Sequence, residues 1–100
     1  MDGMNNMRDC TLLLQAFWKK IRSLRKKKML TQEELAGMAG FNRSYYSDIE
    51  NGKRNISFVG ISKLANALNL EMMDLLPTRE EYYKLLESEA RHSQETITYI

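Results

Sequence analysis

Apolar residues recur at spacings of three and four along most of this chain, which is the period of helices with one buried face. Leu14, Phe17, Ile21 and Leu24 share one side of a helix predicted from about Thr11 to Lys28, with Lys19, Lys20, Arg22, Lys26 and Lys27 on its other sides. Leu30 then precedes Thr31-Gln32-Glu33-Glu34. A hydroxyl three residues before a carboxylate is a capping box, and the leucine ahead of it is placed for a hydrophobic staple. The second helix, 31–39, carries Leu35, Ala36 and Ala39 inward and ends at Gly40. Asn42 caps a third, 43–50, whose inward positions are Tyr46 and Ile49, with Phe41 at the turn. Asn51-Gly52 closes it, since both residues tolerate the left-handed conformation of a helix exit.

Ser57 caps a fourth helix, Phe58 to Leu68, with the stripe Ile61, Leu64, Ala65 and Leu68. A shorter fifth starts at Leu70, carries Met72, Met73, Leu75 and Leu76, and is broken by Pro77. Thr78-Arg79-Glu80-Glu81 begins a sixth, with Tyr82, Leu85 and Leu86, predicted to run to about Ala90. Residues 1–10 have no period and are expected to form a flexible arm. Thr96-Ile97-Thr98-Tyr99-Ile100 has strand character, but nothing upstream alternates for long enough to pair with it. The prediction is therefore an all-α fold: an arm at 1–10, a helical domain at 11–76 and a C-terminal extension at 78–100.

One hundred residues without low complexity suit a single domain that needs no metal or disulfide staple. Cys10 has no second cysteine to pair with, and His92 is the sole histidine, so neither a disulfide nor a zinc cluster is expected. Cys10 reads as an inert thiol and His92 as an ordinary surface residue. The run Leu12-Leu13-Leu14, followed by Phe17-Trp18, stops at Lys19-Lys20 well short of membrane length, and Met1-Asp2-Gly3 lacks a basic leader. These readings place the chain in the cytoplasm. Charge is divided unevenly: residues 1–57 carry a net +5 and residues 58–100 a net −3. A basic front and an acidic back suit a protein that turns one side toward a polyanion. Arg25-Lys26-Lys27-Lys28 reads as a solvated helix end favoured by the helix dipole. With no nucleophile–base pair, metal cluster or phosphate loop in view, no enzyme, cofactor or small-molecule ligand is expected.

Thr31 to Gly52 makes sense as two helices packed at a steep angle, the alanines allowing close approach, and the second helix of such a pair fits a major groove. From Phe17 to Leu76 the chain resembles the lambda-repressor-like (XRE-type) helix-turn-helix family of phage repressors and bacterial regulators. The resemblance lies in Ile21-Arg-Ser-Leu-Arg25, Leu30-Thr-Gln-Glu-Glu-Leu-Ala36, Ile49-Glu-Asn-Gly-Lys-Arg54 and Leu64-Ala-Asn-Ala-Leu68. Asn42-Arg-Ser-Tyr-Tyr-Ser-Asp-Ile-Glu50, followed by Arg54-Asn-Ile-Ser57, is most similar to the controller proteins of restriction-modification systems.

That resemblance implies a five-helix fold and a set of roles. Arg43, Ser44, Tyr45 and Ser47 would face base edges from the third helix, Arg43 foremost because its fork matches the two acceptors of guanine. Gln32 would touch the DNA backbone. Asn51, Lys53, Arg54, Asn55 and Ser57 would form the loop that grips phosphates, with Arg54 also reaching bases. Tyr46 stands where the family usually has isoleucine or valine; it is expected to bury its ring and send its hydroxyl to the rim or to a phosphate. Asp48 stands where many members are uncharged, so it must accept from a cytosine amino group or an arginine, act against wrong sites, or face away. Arg25 and Glu50 match a pair that clasps the first helix to the third.

The resemblance also implies a homodimer on a two-fold DNA site, its interface on the fourth and fifth helices, where Phe58, Val59, Met72, Met73 and Leu76 exceed what one core can absorb. The tail has two possible placements, across the dimer or over the back of its own domain. Tyr82, Leu85 and Leu86 are expected to reinforce the dimer. The function so implied is a DNA-binding transcription regulator that controls restriction-modification genes, its own included, with RNA polymerase as a further partner. A phage-type repressor or antitoxin is the alternative within DNA binding, and a protein-interaction module without DNA affinity is the alternative outside it.

Overall fold

The computed structural model describes the backbone of residues 2–99 and the side chains of residues 11–91, so the expectations for Cys10 and His92 lie outside the described side chains. Among the described residues there are six helices and no strand: α1 (Asp2–Lys27), α2 (Gln32–Ala39), α3 (Arg43–Glu50), α4 (Phe58–Leu68), α5 (Met72–Leu75) and α6 (Arg79–Tyr99). None of them is long and apolar enough to cross a membrane.

Local chemistry sets most of the helix starts. The Thr31 hydroxyl accepts from the Glu34 N–H at 3.0 Å, and the Glu34 carboxylate accepts from the Thr31 N–H at 2.8 Å. Asn42 Oδ1 accepts from the Ser44 and Tyr45 amides, and the Ser57 hydroxyl accepts from the Gly60 amide. Thr78 and Glu81 repeat the reciprocal box at the head of α6. Each cap satisfies amides that the first turn of a helix leaves without partners.

The core is the apolar stripe of each helix turned inward. Ile21 from α1, Leu35 from α2, Tyr46 and Ile49 from α3, Leu64 and Leu68 from α4 and Leu75 from α5 are fully buried, with Phe17, Trp18, Ala36, Ala39 and Ala65 packed among them. Two glycines shape the connections. Gly40 takes φ +78° to end α2, with open space where a Cβ would stand. Gly52 takes φ +81°, and a Cβ there would run into the indole ring of Trp18, which lies beneath the turn after α3. Because only the backbone conformation opposes a side chain at Gly40, Gly40→Ala should cost about 1–2 kcal/mol, read as a fall in the urea midpoint. An unchanged midpoint would mean that the α2–α3 turn relaxes without strain.

The structure departs from the sequence reading at both ends. The expected arm at 1–10 is drawn into α1, which begins at Asp2, and α6 continues past Ala90 to Tyr99. An aperiodic segment joined to an anchored helix extends it at the gain of one hydrogen bond per residue, without a new nucleus. A strand at 96–100 would have needed a partner; helix needs only its own carbonyls. The fifth helix is also shorter than predicted, beginning at Met72 and ending at Leu75.

In the single chain the tail lies against its own domain. Helix α6 packs along α1 of the same chain. Lys20 Nζ ties the junction, donating to the Leu76 carbonyl at 2.9 Å and to Glu81 Oε1 at 3.0 Å. The amide of Thr78, aided by Lys20, holds the Glu81 carboxyl below its usual range. Leu85 lines a cleft with Ala16 and Leu24 of α1, and Tyr82 and Leu86 are half-buried.

Candidate nucleic-acid interface

Helix α3 is held with one face sunk and the other free. Tyr46, Ile49 and Glu50 are buried, whereas Arg43 and Ser44 are exposed and Tyr45 and Ser47 half-exposed. With 3.6 residues per turn, Arg43 and Ser47 stack one above the other on the outer side, and Ser44 lies beside them. Arg43 has no ion pair among the described residues, which leaves its five N–H donors for an outside acceptor.

Glu50 fixes α3 against the two preceding helices. Its carboxylate accepts from Arg25 Nε at 2.8 Å, Arg25 Nη2 at 3.0 Å, Gln32 Nε2 at 2.7 Å and the Tyr46 hydroxyl. Two bonds on each oxygen saturate the group. Burial pushes this carboxyl up, but the bonds from Arg25, Tyr46 and Gln32 outweigh it and hold Glu50 below the ordinary glutamate value. Tyr46 moves the other way: burial first, then its bond to Glu50, pushes its hydroxyl well above the usual phenol range. Arg25 is raised by its own hydrogen bond to Glu50, which outweighs the lowering by burial. Arg25 Nη1 also donates to the Leu30 carbonyl at 2.7 Å, so the same guanidinium closes the end of α1.

The clasp of Arg25 and Glu50 is therefore present and larger than a pair. Sequence reasoning missed Arg22, whose Nη2 donates to the Glu50 carbonyl at 3.1 Å and whose Nε lies 3.6 Å from Glu50 Oε1. Its place three residues before Arg25, on the same face of α1, was the available signal. Tyr46 needs correction: its hydroxyl reaches neither the rim nor a phosphate position, because the ring is completely enclosed and the hydroxyl donates its hydrogen bond to Glu50. Gln32 is half-committed. One amide hydrogen goes to Glu50, which leaves the other hydrogen and the oxygen at the start of α2, beside backbone amides that the capping box does not use.

Beyond α3 the chain turns through Asn51-Gly52 into an exposed segment. The Asn51 amide donates to the Ser47 carbonyl, and its side chain bonds Ser47 Oγ at 3.3 Å. Lys53 and Asn55 are exposed. Ser57 is exposed too, but its oxygen accepts the Gly60 amide, so only its O–H proton is left to give. Arg54 lies over the ring of Tyr45, 5.4 Å from its centroid, and its Nε is 3.4 Å from Asp48 Oδ2. Asp48, for which the sequence left several roles open, faces this arginine. Gln32, Arg43, Ser44, Ser47, Asn51, Lys53 and Arg54 thus occupy α2, α3 and the following turn of one rigid unit, a stretch with three cations that is continuous in the chain.

Away from this unit, Phe58 and Val59 of α4, Met73 of α5 and Leu76 just after it are exposed, α4 and α5 pack on each other, and Met72 is half-buried; Met73 stands 81 % open and Phe58 77 %. Among the described residues no cluster of His, Cys, Asp and Glu could hold a metal ion.

Comparison with known proteins agrees with this geometry. The family model described as Helix-turn-helix matches residues 21–75. The control protein C.MunI of Mycoplasma sp is 41% identical over 66 residues, which cover 65% of this chain and 89% of that protein. The control protein C.BamHI of Bacillus amyloliquefaciens is 43% identical over 61 residues, 60% of this chain and 75% of the relative. Among solved structures, the restriction-modification controller protein C.AhdI from Aeromonas hydrophila superimposes with a TM-score of 0.61 at 46% identity, covering 63% of this chain and 96% of that one.

Proposed function

Since the chain belongs to the helix-turn-helix family and is related to restriction-modification controller proteins, we propose that it is a sequence-specific, DNA-binding transcription regulator. It binds a two-fold symmetric operator as a homodimer in the cytoplasm and controls restriction-modification genes, its own included. The observation that carries this reading is the division of α3: one side is locked into the core through Tyr46, Ile49 and Glu50, and the other presents Arg43, Ser44 and Ser47 to solvent. A helix held that firmly can bring three polar side chains to base edges without first ordering the backbone that carries them.

Roles follow from reach and chemistry. Arg43 forks onto guanine, Ser44 and Ser47 donate or accept beside it, and Tyr45 offers a ring edge to a thymine methyl. Gln32, Asn51, Lys53 and Asn55, with the hydroxyl proton of Ser57, hold phosphates on either side. The operator lies near a promoter, where the bound dimer occludes RNA polymerase or offers it a surface. The recognition unit is residues 11–76, with α6 as a brace on its back.

Footprinting on DNA flanking the protein's own gene tests the reading, and protection of a palindrome is the expected result. Arg43→Ala should then lower operator affinity by about 1–3 kcal/mol and relax discrimination at one or two base pairs. Equal losses on operator and random DNA would remove Arg43 from base reading.

A further inference from the structure

We propose that Asp48 is a positioning residue that holds Arg54 ready to read a base, and that it sets how well this protein separates its operator from other DNA; the inference rests on the regulator reading above. A carboxylate on a surface turned toward phosphates is a cost, because it repels the polyanion it faces. Here it has a specific occupation. Its Oδ2 lies against Arg54 Nε at 3.4 Å, its backbone carbonyl accepts the Lys53 amide at 2.7 Å, and so one residue pins the start of the loop and the arginine that follows.

Tyr45 completes the seat. The face of its ring lies under the Arg54 guanidinium, and Phe41 braces that ring edge-on, with centroids 5.4 Å apart and planes at 70°. Arg54 is thus held by one edge and one face. Its Nε lies beside the carboxylate in charge contact, without the alignment of a hydrogen bond, while the four hydrogens on Nη1 and Nη2 have no partner among the described residues, and a fork on guanine needs two such donors. The side chains of Arg54 and Asp48 are 57% and 38% exposed, so the pair stands where DNA can reach it.

An exposed ion pair of this kind adds little to folding; its consequence is for binding. With the long side chain ordered in the free protein, a correctly placed guanine meets a preformed fork and little freedom is lost on contact. On random DNA a guanine seldom stands opposite Arg54, and the acceptors within its reach are mostly phosphates. To use them, the arginine must leave Asp48, and the carboxylate is then left bare beside the backbone. Asp48 therefore penalises non-specific binding more than operator binding.

The test compares wild type, Asp48→Asn, Arg54→Ala and the double variant on the footprinted operator and on random duplex of equal length, with thermal melting to show that all four fold. Asp48→Asn should tighten binding to random DNA severalfold and lower the operator-to-random ratio about tenfold, within the range of one bidentate base contact. The discrimination it loses should fall at the same base pair as that lost by Arg54→Ala. With Arg54 already removed, Asp48→Asn should leave the ratio unchanged. A ratio that holds or rises in Asp48→Asn, or that falls equally without Arg54, overturns the positioning role. If wild type itself does not prefer the operator, the regulator reading fails and this inference falls with it; a discriminating wild type confines any failure to Asp48.

Discussion

Replacing Glu50 with alanine should cost about 3–5 kcal/mol of folding stability, because it removes one partner of a buried ion pair and leaves the other uncompensated. The Arg25 guanidinium, the Gln32 amide and the Tyr46 hydroxyl would all lose an acceptor at once, and Glu50 itself is only 2% exposed, so water does not readily replace it. A domain of this size has about 5–15 kcal/mol in total, so the variant would keep a fraction of its stability or less. Urea unfolding gives the number; a loss under about 1 kcal/mol would show that the cluster is solvated and that α3 is held by Tyr46 and Ile49 alone. Tyr46→Phe keeps the ring in place and deletes one hydrogen bond to a charged group, so it should cost only about 1.5–3 kcal/mol.

Glu50→Gln separates charge from shape and fixes the pH dependence. The folded carboxyl sits below the ordinary value of 4.5 that it regains on unfolding. A group shifted down in the fold contributes in full above its unfolded pKa, and the contribution drains away as pH falls through the folded one. Wild type should therefore be more stable than Glu50→Gln at neutral pH, and the two curves should converge in acid. Parallel curves would mean that the ionised carboxylate carries none of the stabilisation. Because the same carboxylate joins α1, α2 and α3, loosening it should also disturb the spacing between Gln32 and the outer face of α3, the surface proposed to contact DNA.

The parts of this architecture that could be read in the sequence are those set by neighbours in the chain. Thr31 with Glu34, Asn42, Ser57 and Thr78 with Glu81 each cap the helix that they precede, since a cap needs only a side chain within three residues of an orphan amide. Gly40 was legible for the same reason. The pairing of Arg25 with Glu50 became legible through family resemblance, since twenty-five residues separate them.

What escaped depends on direction. Tyr46 could aim its hydroxyl out or in, and the choice was decided by Glu50 one turn later and by two further donors converging there from α1 and α2. Asp48 and Arg54 stand six positions apart across a glycine turn, and nothing in helical periodicity says that the loop folds back. The terminal segments misled in a different way. Lack of period argues against a buried face, not against helix, and β-branched residues at the end of an established helix continue it when no strand is present to receive them.

Charging the exposed face of α4 and α5 should have the largest effect on DNA binding. Phe58 and Met73 are 77% and 81% exposed in the single chain, so Phe58→Glu and Met73→Glu should leave the fold and its melting behaviour nearly intact. Within a two-fold interface each substitution would bring in two carboxylates, one from each copy, in the part of the contact that must be dry. Sedimentation should then report a monomer at concentrations where wild type is a dimer. On a complete operator, with half-sites about 34–36 Å apart, the variants should bind about 100- to 10,000-fold more weakly, because the second half-site no longer binds at the high local concentration that tethering provides. On an isolated half-site they should match wild type, since Arg43, Ser44 and Ser47 lie on a different helix and are untouched. A charged variant that remains dimeric and keeps full operator affinity would move the interface elsewhere. The cleft where Leu85 of α6 meets Ala16 and Leu24 of α1 would be the next surface to charge.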